Sequence, residues 1–269
     1  MNIFSVTDKV IVVTGATGEL GGSMANHMAS QNAKIVILAQ NKELIDIKVE
    51  SLKSKELNVI GVTADVTSEE DLNRAKSEII ASFGRIDGLI NAAGGNTKEA
   101  VVMPEDSVFD MNMNAFDKVF DLNLKGTVLP TMVFGSEIAK NKGSIINISS
   151  VAAHSALTRV AGYSAAKAAV ENFTKWMGSE LALRYGDQIR MNAIAPGFFV
   201  AKQNKSLLLN DDGSFTKRGE KIINRTPMGR FGNSKELFGA AQWLLSDASS
   251  FVTGAVIPID GGYGAYSGI

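Results

Sequence analysis

The sequence contains no cysteine, which excludes disulfide staples, thiolate metal sites and a cysteine nucleophile. Histidine occurs only at His27 and His154, neither beside carboxylates at ligand spacing, so no metal site is expected. Proline is scarce, and no Pro/Gly-rich linker, repeat or low-complexity tract divides the chain, so residues 1–269 read as a single domain. No stretch approaches the ~20 apolar residues that a membrane span requires. Met1 to Lys9 lacks the basic-then-apolar order of a signal peptide, and a soluble cytoplasmic protein away from the membrane is expected. An excess of charge is missing too. With 27 basic and 28 acidic residues and no long run of either sign, the basic patch of a nucleic-acid binder is absent from the sequence.

What the chain does have is apolar material in short, regularly spaced pieces. The hydrophobic set makes up 45% of 269 residues, ample for a sizeable core. Seven runs rich in β-branched residues read as strands: Lys9 to Thr14, Lys34 to Ala39, Asn58 to Thr63, Asp87 to Ala92, Ser144 to Ser149, Ile189 to Ala195 and Ala255 to Ile259. Their near-continuous apolarity predicts a sheet buried on both faces by the helical stretches between them. Alternating strands and helices predict an α/β fold: a doubly wound parallel seven-stranded sheet with helices on both faces. Ligands of such sheets bind beyond the carboxyl ends of the strands, where strand order reverses. Two segments are long for simple connections, Gly95 to Phe116 and about 198–232. The second begins where a strand ends and is read as the substrate loop.

Directly after the first strand stands Thr14-Gly15-Ala16-Thr17-Gly18-Glu19-Leu20-Gly21-Gly22, followed by a helical stretch from Ser23 to Ser30. Residues without Cβ allow backbone amides to approach a pyrophosphate, and a helix N-terminus adds positive partial charge. Gly15, Thr17, Gly18 and Leu20 are the candidate contacts. A P-loop is excluded because no Gly-Lys-Ser/Thr follows. The adenosine end of a dinucleotide belongs near Gln40 and Asn41, after the second strand. An acid there would favour NAD and an arginine NADP; the chain offers neither, so the cofactor is read as NAD or NADP.

Tyr163 and Lys167 lie four apart at the start of a helical pattern, so phenol and ammonium share one helix face. A phenol with a pKa of about 10 is a poor base at neutral pH, and a neighbouring cation is expected to lower it. Tyr163 could then exchange a proton with an alcohol or carbonyl oxygen as hydride moves. Ser150 ends an apolar strand thirteen residues earlier, where its hydroxyl can bond that oxygen. Asn123 lies in another helical pattern, where a buried amide needs a partner.

These segments together resemble the short-chain dehydrogenase/reductase family, whose fold is the doubly wound Rossmann sheet. The resemblance runs through the glycine turn, Asp65-Val66, Asn91-Ala92-Ala93-Gly94, the set Asn123, Ser150, Tyr163 and Lys167, then Pro196-Gly197 and the closing Asp260-Gly261-Gly262. It implies that Asn123 holds a water linking Lys167 to a proton relay. It further implies that Asp65 and Val66 contact adenine, that Asn91, Ala92 and Gly94 line the adenosine side, and that the loop after Pro196-Gly197, through Phe199, closes over the nicotinamide. A homotetramer is implied as well. Two departures stand out. Glu19 occupies the position of the family's middle glycine and is expected to point to solvent. Ala201 stands where the family commonly has a threonine for the carboxamide, leaving that contact to backbone near Val200.

Less general segments resemble the D-mannonate oxidoreductase (fructuronate reductase) branch: Gly94-Gly95-Asn96, Leu157-Thr158-Arg159, Ala195 to Phe199, Thr226 to Gly232 and the tail from Gly261 to Gly268. This implies reversible reduction of D-fructuronate to D-mannonate. A sugar acid needs a cation for its carboxylate and polar groups for its hydroxyls. Arg159 and Lys202 are the candidate cations, with Asn96, His154 and Asn204 as candidate hydroxyl contacts beside Ser150 and Tyr163. The alternatives are a gluconate 5-dehydrogenase-like or other polyol or oxoacyl reductase, and a catalytically idle nicotinamide-binding sensor or scaffold.

Overall fold

The computed structural model describes residues 2–201 and 204–268. All seven expected strands form: β1 (Val10–Thr14), β2 (Lys34–Ala39), β3 (Val59–Thr63), β4 (Gly88–Asn91), β5 (Gly143–Ile148), β6 (Ile189–Pro196) and β7 (Val256–Ile259). They make one sheet in the order β3-β2-β1-β4-β5-β6-β7, and every pairing is parallel. β1, β5 and β6 are buried along their whole length, as continuous apolar runs require when helices cover both faces.

Helices α1 (Glu19–Ser30) and α8 (Phe238–Leu245) pack on one face with Met24, Met28, Ile11 and Ile35. Helices α3 (Glu69–Phe83), α4 (Met113–Lys140) and α5 (Ala161–Tyr185) cover the other, over Val12, Val36, Leu89 and Ile145. Helix α2 (Lys42–Lys53) connects β2 to β3. No described helix is long and apolar enough to cross a membrane.

Strand order reverses between β1 and β4, which fixes the ligand crevice above their carboxyl ends. There the Thr14 hydroxyl accepts from the Ala92 and Ala93 amides, both at 3.1 Å, tying the glycine turn to the loop after β4. Residues 198–201 and 204–232 leave the sheet after β6. Phe199 bridges Gly232 at their base, and they carry two short helices, α6 (Lys205–Leu208) and α7 (Lys217–Arg225).

Candidate active site

Helix α1 begins at Glu19, four residues before the expected Ser23. Glycine disfavours a helix interior, but close packing demands it here. A Cβ at Gly21 would meet the Gly15 carbonyl oxygen at 2.8 Å, and one at Gly22 would meet that of Ala16 at 2.7 Å. Gly15 itself has φ 62°, and its Cβ would lie 2.7 Å from Ala93 Cα. The N-cap Gly18 supplies no side-chain cap, so the first-turn amides face the crevice without one. That cradle fits a dinucleotide pyrophosphate. Thr17 and Leu20 flank it, both partly buried. Glu19 is exposed, as expected, and its carboxylate acts on the Lys48 ammonium.

The adenosine side is open. Gln40 is exposed, and Asn41 caps α2 by accepting from the Leu44 amide at 3.0 Å. Lys42 is engaged with Asp46. Asp65 accepts from the amide and hydroxyl of Thr67, both at 2.7 Å, and Val66 is buried against Gly126. Asn91 departs from its expected role as a lining residue. Its side chain turns into the interior, where Nδ2 donates to Asn147 Oδ1 at 2.9 Å and Thr131 Oγ1 at 3.0 Å. Ala92 and Gly94 remain at the crevice through their backbone.

Ser150, 8% exposed, follows β5 and accepts from the Ala152 amide at 3.2 Å. Tyr163 stands in the first turn of α5, and Lys167 lies beneath it, with Nζ 5.6 Å from the phenol ring centroid. The Lys167 ammonium donates to the Ile148 carbonyl at 2.7 Å. Burial lowers its pKa to about 8. The lowering expected from a neighbouring cation is not what the chain alone shows. Burial raises the Tyr163 pKa, and the hydrogen bond with Ser150 pulls it only partly back. The physical reason is that desolvation of the phenolate outweighs a cation held away on a carbonyl.

Asn123 is fully buried. Its Nδ2 donates to the carbonyls of Val119 and Gly95, both at 2.7 Å, and its Oδ1 accepts from the Gly95 amide at 3.1 Å. Both amide hydrogens are thus used in clamping Gly94–Gly95 onto α4, beside Lys167. A Cβ at Gly94 would lie 3.4 Å from Lys167 Nζ.

The expected substrate residues divide. Asn96 Oδ1 is buried with no partner among the described residues, an acceptor that a ligand donor would satisfy. Arg159 is partly buried with φ 79°, and its carbonyl accepts from the Val102 amide at 3.0 Å. His154 Nδ1 is held by Glu171 at 3.2 Å, and Glu171 also accepts from Ser149 at 2.7 Å, so only the outer ring edge is free. Asn204 is a loop clasp rather than a substrate contact. It accepts from the Ala201 amide at 2.8 Å and donates to the Phe199 carbonyl at 2.9 Å, because this loop must satisfy its own backbone. Lys202 lies outside the described residues. Pro196 ends β6 and Gly197 packs on Asp260, while the Phe199 ring is buried against Gly232 and offers the crevice only backbone. A cavity of about 380 Å³ behind this segment is lined by Phe198, Met228 and Gly261 but not by Tyr163.

Two groups near the site carried no signal in the sequence. Glu171 looks like a surface residue of a helix. Arg218 becomes notable only once α7 is folded back toward Arg159 and Tyr263.

Comparison with known proteins agrees with this fold. A family model described as enoyl-(acyl carrier protein) reductase matches residues 15–264. An uncharacterised oxidoreductase, UxuB, from Bacillus subtilis (strain 168) is 42% identical over 275 residues, covering 98% of each chain. A crystal structure of a provisionally assigned D-mannonate oxidoreductase from Haemophilus influenzae, with NAD bound, superposes with a TM-score of 0.92 at 39% identity over the whole of both chains. A gluconate 5-dehydrogenase from Burkholderia cenocepacia J2315, in complex with NADP and tartrate, gives 0.88 at 29% identity over 98% of each. With the glycine turn, Ser150, Tyr163 and Lys167 in one crevice, the chain belongs to the short-chain dehydrogenase/reductase family and is an NAD(P)-dependent oxidoreductase of alcohol-type groups.

Proposed function

We propose that this protein interconverts a keto and a hydroxy sugar acid, D-fructuronate and D-mannonate, at the crevice above β1, β4 and β5. The observation that carries the reading is the meeting of the Tyr163 phenol, the Ser150 hydroxyl and the buried Lys167 ammonium beyond the carboxyl end of β5. The full-length likeness to the Haemophilus influenzae protein supports the choice of sugar acid.

The nicotinamide supplies or accepts the hydride when bound. The chain's own residues handle the proton. In reduction, Tyr163 donates its phenolic proton to the carbonyl oxygen while Ser150 donates a hydrogen bond to the same oxygen; oxidation reverses both. A phenol kept protonated by burial suits the reducing direction. Lys167, fixed by Ile148 and flanked by Gly94, is the cation that stabilises phenolate on the return. Asn123 positions Gly94–Gly95 and, as a further part of this reading, a relay water near Lys167. The first turn of α1 with Gly15, Thr17, Gly18 and Leu20 would hold the pyrophosphate. Gln40, Asn41, Asp65, Val66, Ala92 and Gly94 would face the adenosine, and Pro196, Gly197 and the Phe199 backbone the nicotinamide. Asn96 and the outer edge of His154 are the proposed hydroxyl contacts, with segment 198–232 as the cover. We place the enzyme in the cytoplasm as a homotetramer.

The test is turnover of a panel of sugar acids and polyols with NAD and with NADP, followed by absorbance of the reduced cofactor. D-Mannonate should be the best substrate. No turnover of D-mannonate alongside good turnover of gluconate would overturn the substrate and favour the gluconate 5-dehydrogenase reading. No turnover across the panel, with nicotinamide binding intact, would favour the idle sensor.

A further inference from the structure

The chain has eight arginines. Arg74, Arg85, Arg184 and Arg230 each pair with a carboxylate. The buried Arg190 feels Asp247 and donates to Ser249 and the Ser246 carbonyl. Arg159, Arg218 and Arg225 have no carboxylate partner among the described residues, and these three gather at one place. Arg225 lies over the Tyr263 ring at 5.0 Å. Partly buried Arg218 is close enough to Arg159 and Tyr263 for both to act on its charge, and no acid does. The Tyr263 ring, 5% exposed, packs edge-on to Phe198 at 5.1 Å.

The cluster stands at the substrate end of the crevice. Ser150, Phe198 and Tyr263 leave the same ends of three neighbouring strands, β5, β6 and β7. Arg159 lies four residues before Tyr163, in the connection from β5 to α5. Its left-handed backbone, costly for arginine, is fixed by the Val102 amide. Arg218 comes from α7, on the 198–232 excursion. One guanidinium therefore belongs to the connection from β5 to α5 and the other to α7. Like charges held together in a partly dry site repel, and an anion between them reverses the sign of that interaction.

We infer that Arg159 and Arg218 form a two-sided clamp for the carboxylate of an acidic substrate, with Tyr263 as its floor. This rests on the reading of the chain as a sugar-acid oxidoreductase and assigns the acid specificity to named residues. Neutral polyols of the same shape leave the two guanidinium groups unpaired and are rejected. Arg225, more exposed and stacked on the far ring, fixes Tyr263 rather than the substrate.

The test compares D-mannonate with D-mannitol, its neutral counterpart, in the intact enzyme and in Arg218→Met, Arg218→Lys and Arg159→Met. Removing one charge-assisted bond should raise KM for the acid about ten- to a hundredfold, with a smaller change in kcat and no change in the far weaker turnover of the neutral polyol. Arg218→Lys should recover part of the loss. KM for the acid within about threefold in both methionine variants, or an equal loss with mannitol, overturns the clamp. In the unaltered protein, phenylglyoxal should modify Arg159 and Arg218, and D-mannonate or tartrate should protect both in peptide mass maps. This second measurement decides the matter if a variant does not fold, and absence of protection overturns the clamp. Should D-mannonate prove inert while another sugar acid is turned over and is lost in Arg218→Met, the proposed substrate fails and the clamp stands. If the unaltered enzyme uses neutral polyols with kcat/KM comparable to that for acids, the clamp fails.

Discussion

Replacing Lys167 with methionine separates what the ammonium costs the fold from what it gives the chemistry. Lys167 is 4% exposed, and burial takes its pKa from 10.5 to about 8. The folded chain thus binds fewer protons than the unfolded chain between about pH 8 and 10.5. The penalty for burying the charge is therefore full below pH 8 and fades as the pH rises toward 10.5. At pH 7 it amounts to about 3 kcal/mol, the shift multiplied by 1.36 kcal/mol per unit. Between pH 7 and 9.5 about 2 kcal/mol of it should disappear. Methionine has no such dependence. It also leaves the Ile148 carbonyl without its donor, which costs about 1–2 kcal/mol at every pH. Urea unfolding of both proteins at one protein concentration and several pH values measures the difference. The unaltered protein should gain about 2 kcal/mol on Lys167→Met over that pH range while the variant loses turnover. Parallel stability curves would refute a buried, desolvated ammonium.

Because burial raises the Tyr163 pKa, reduction should be flat through neutral pH and fall only in alkali, while oxidation climbs with pH as phenolate forms; pH profiles of kcat/KM in both directions check this. Gly15→Ala combines positive φ with a 2.7 Å approach to Ala93 Cα, so it should weaken nicotinamide binding at least tenfold, read by quenching of protein fluorescence on titration.

Much of this architecture was written in the spacing of apolar runs. Strands buried on both faces leave no choice of register period, and the expected and observed strand limits differ by a residue or so, as at β4, which begins at Gly88 rather than Asp87. The start of α1 at Glu19 is not legible in the sequence because Gly21 and Gly22 look like helix breakers, whereas the approach to Gly15 and Ala16 requires them. Within the site, Ser150, Tyr163 and Lys167 could be found because local geometry fixes them: a strand end, and two positions one helical turn apart. The charge balance could not, since it depends on how dry the crevice is and on Lys167 finding the Ile148 carbonyl rather than the phenol. Asn204 illustrates the same limit. A polar residue in a long loop reads equally as a ligand contact or as a clasp for Ala201 and Phe199, and only the folded loop separates them. Arg218 was invisible because its neighbours, Arg159 and Tyr263, are distant in sequence.

The central claim is that Tyr163 moves the proton, and Tyr163→Phe tests it most directly, since the ring stays and only the hydroxyl is lost. With D-mannonate and the preferred cofactor, turnover should fall by about 10³-fold or more while the cofactor dissociation constant, measured by fluorescence titration, is unchanged. Turnover within a few-fold of the unaltered enzyme would contradict the account.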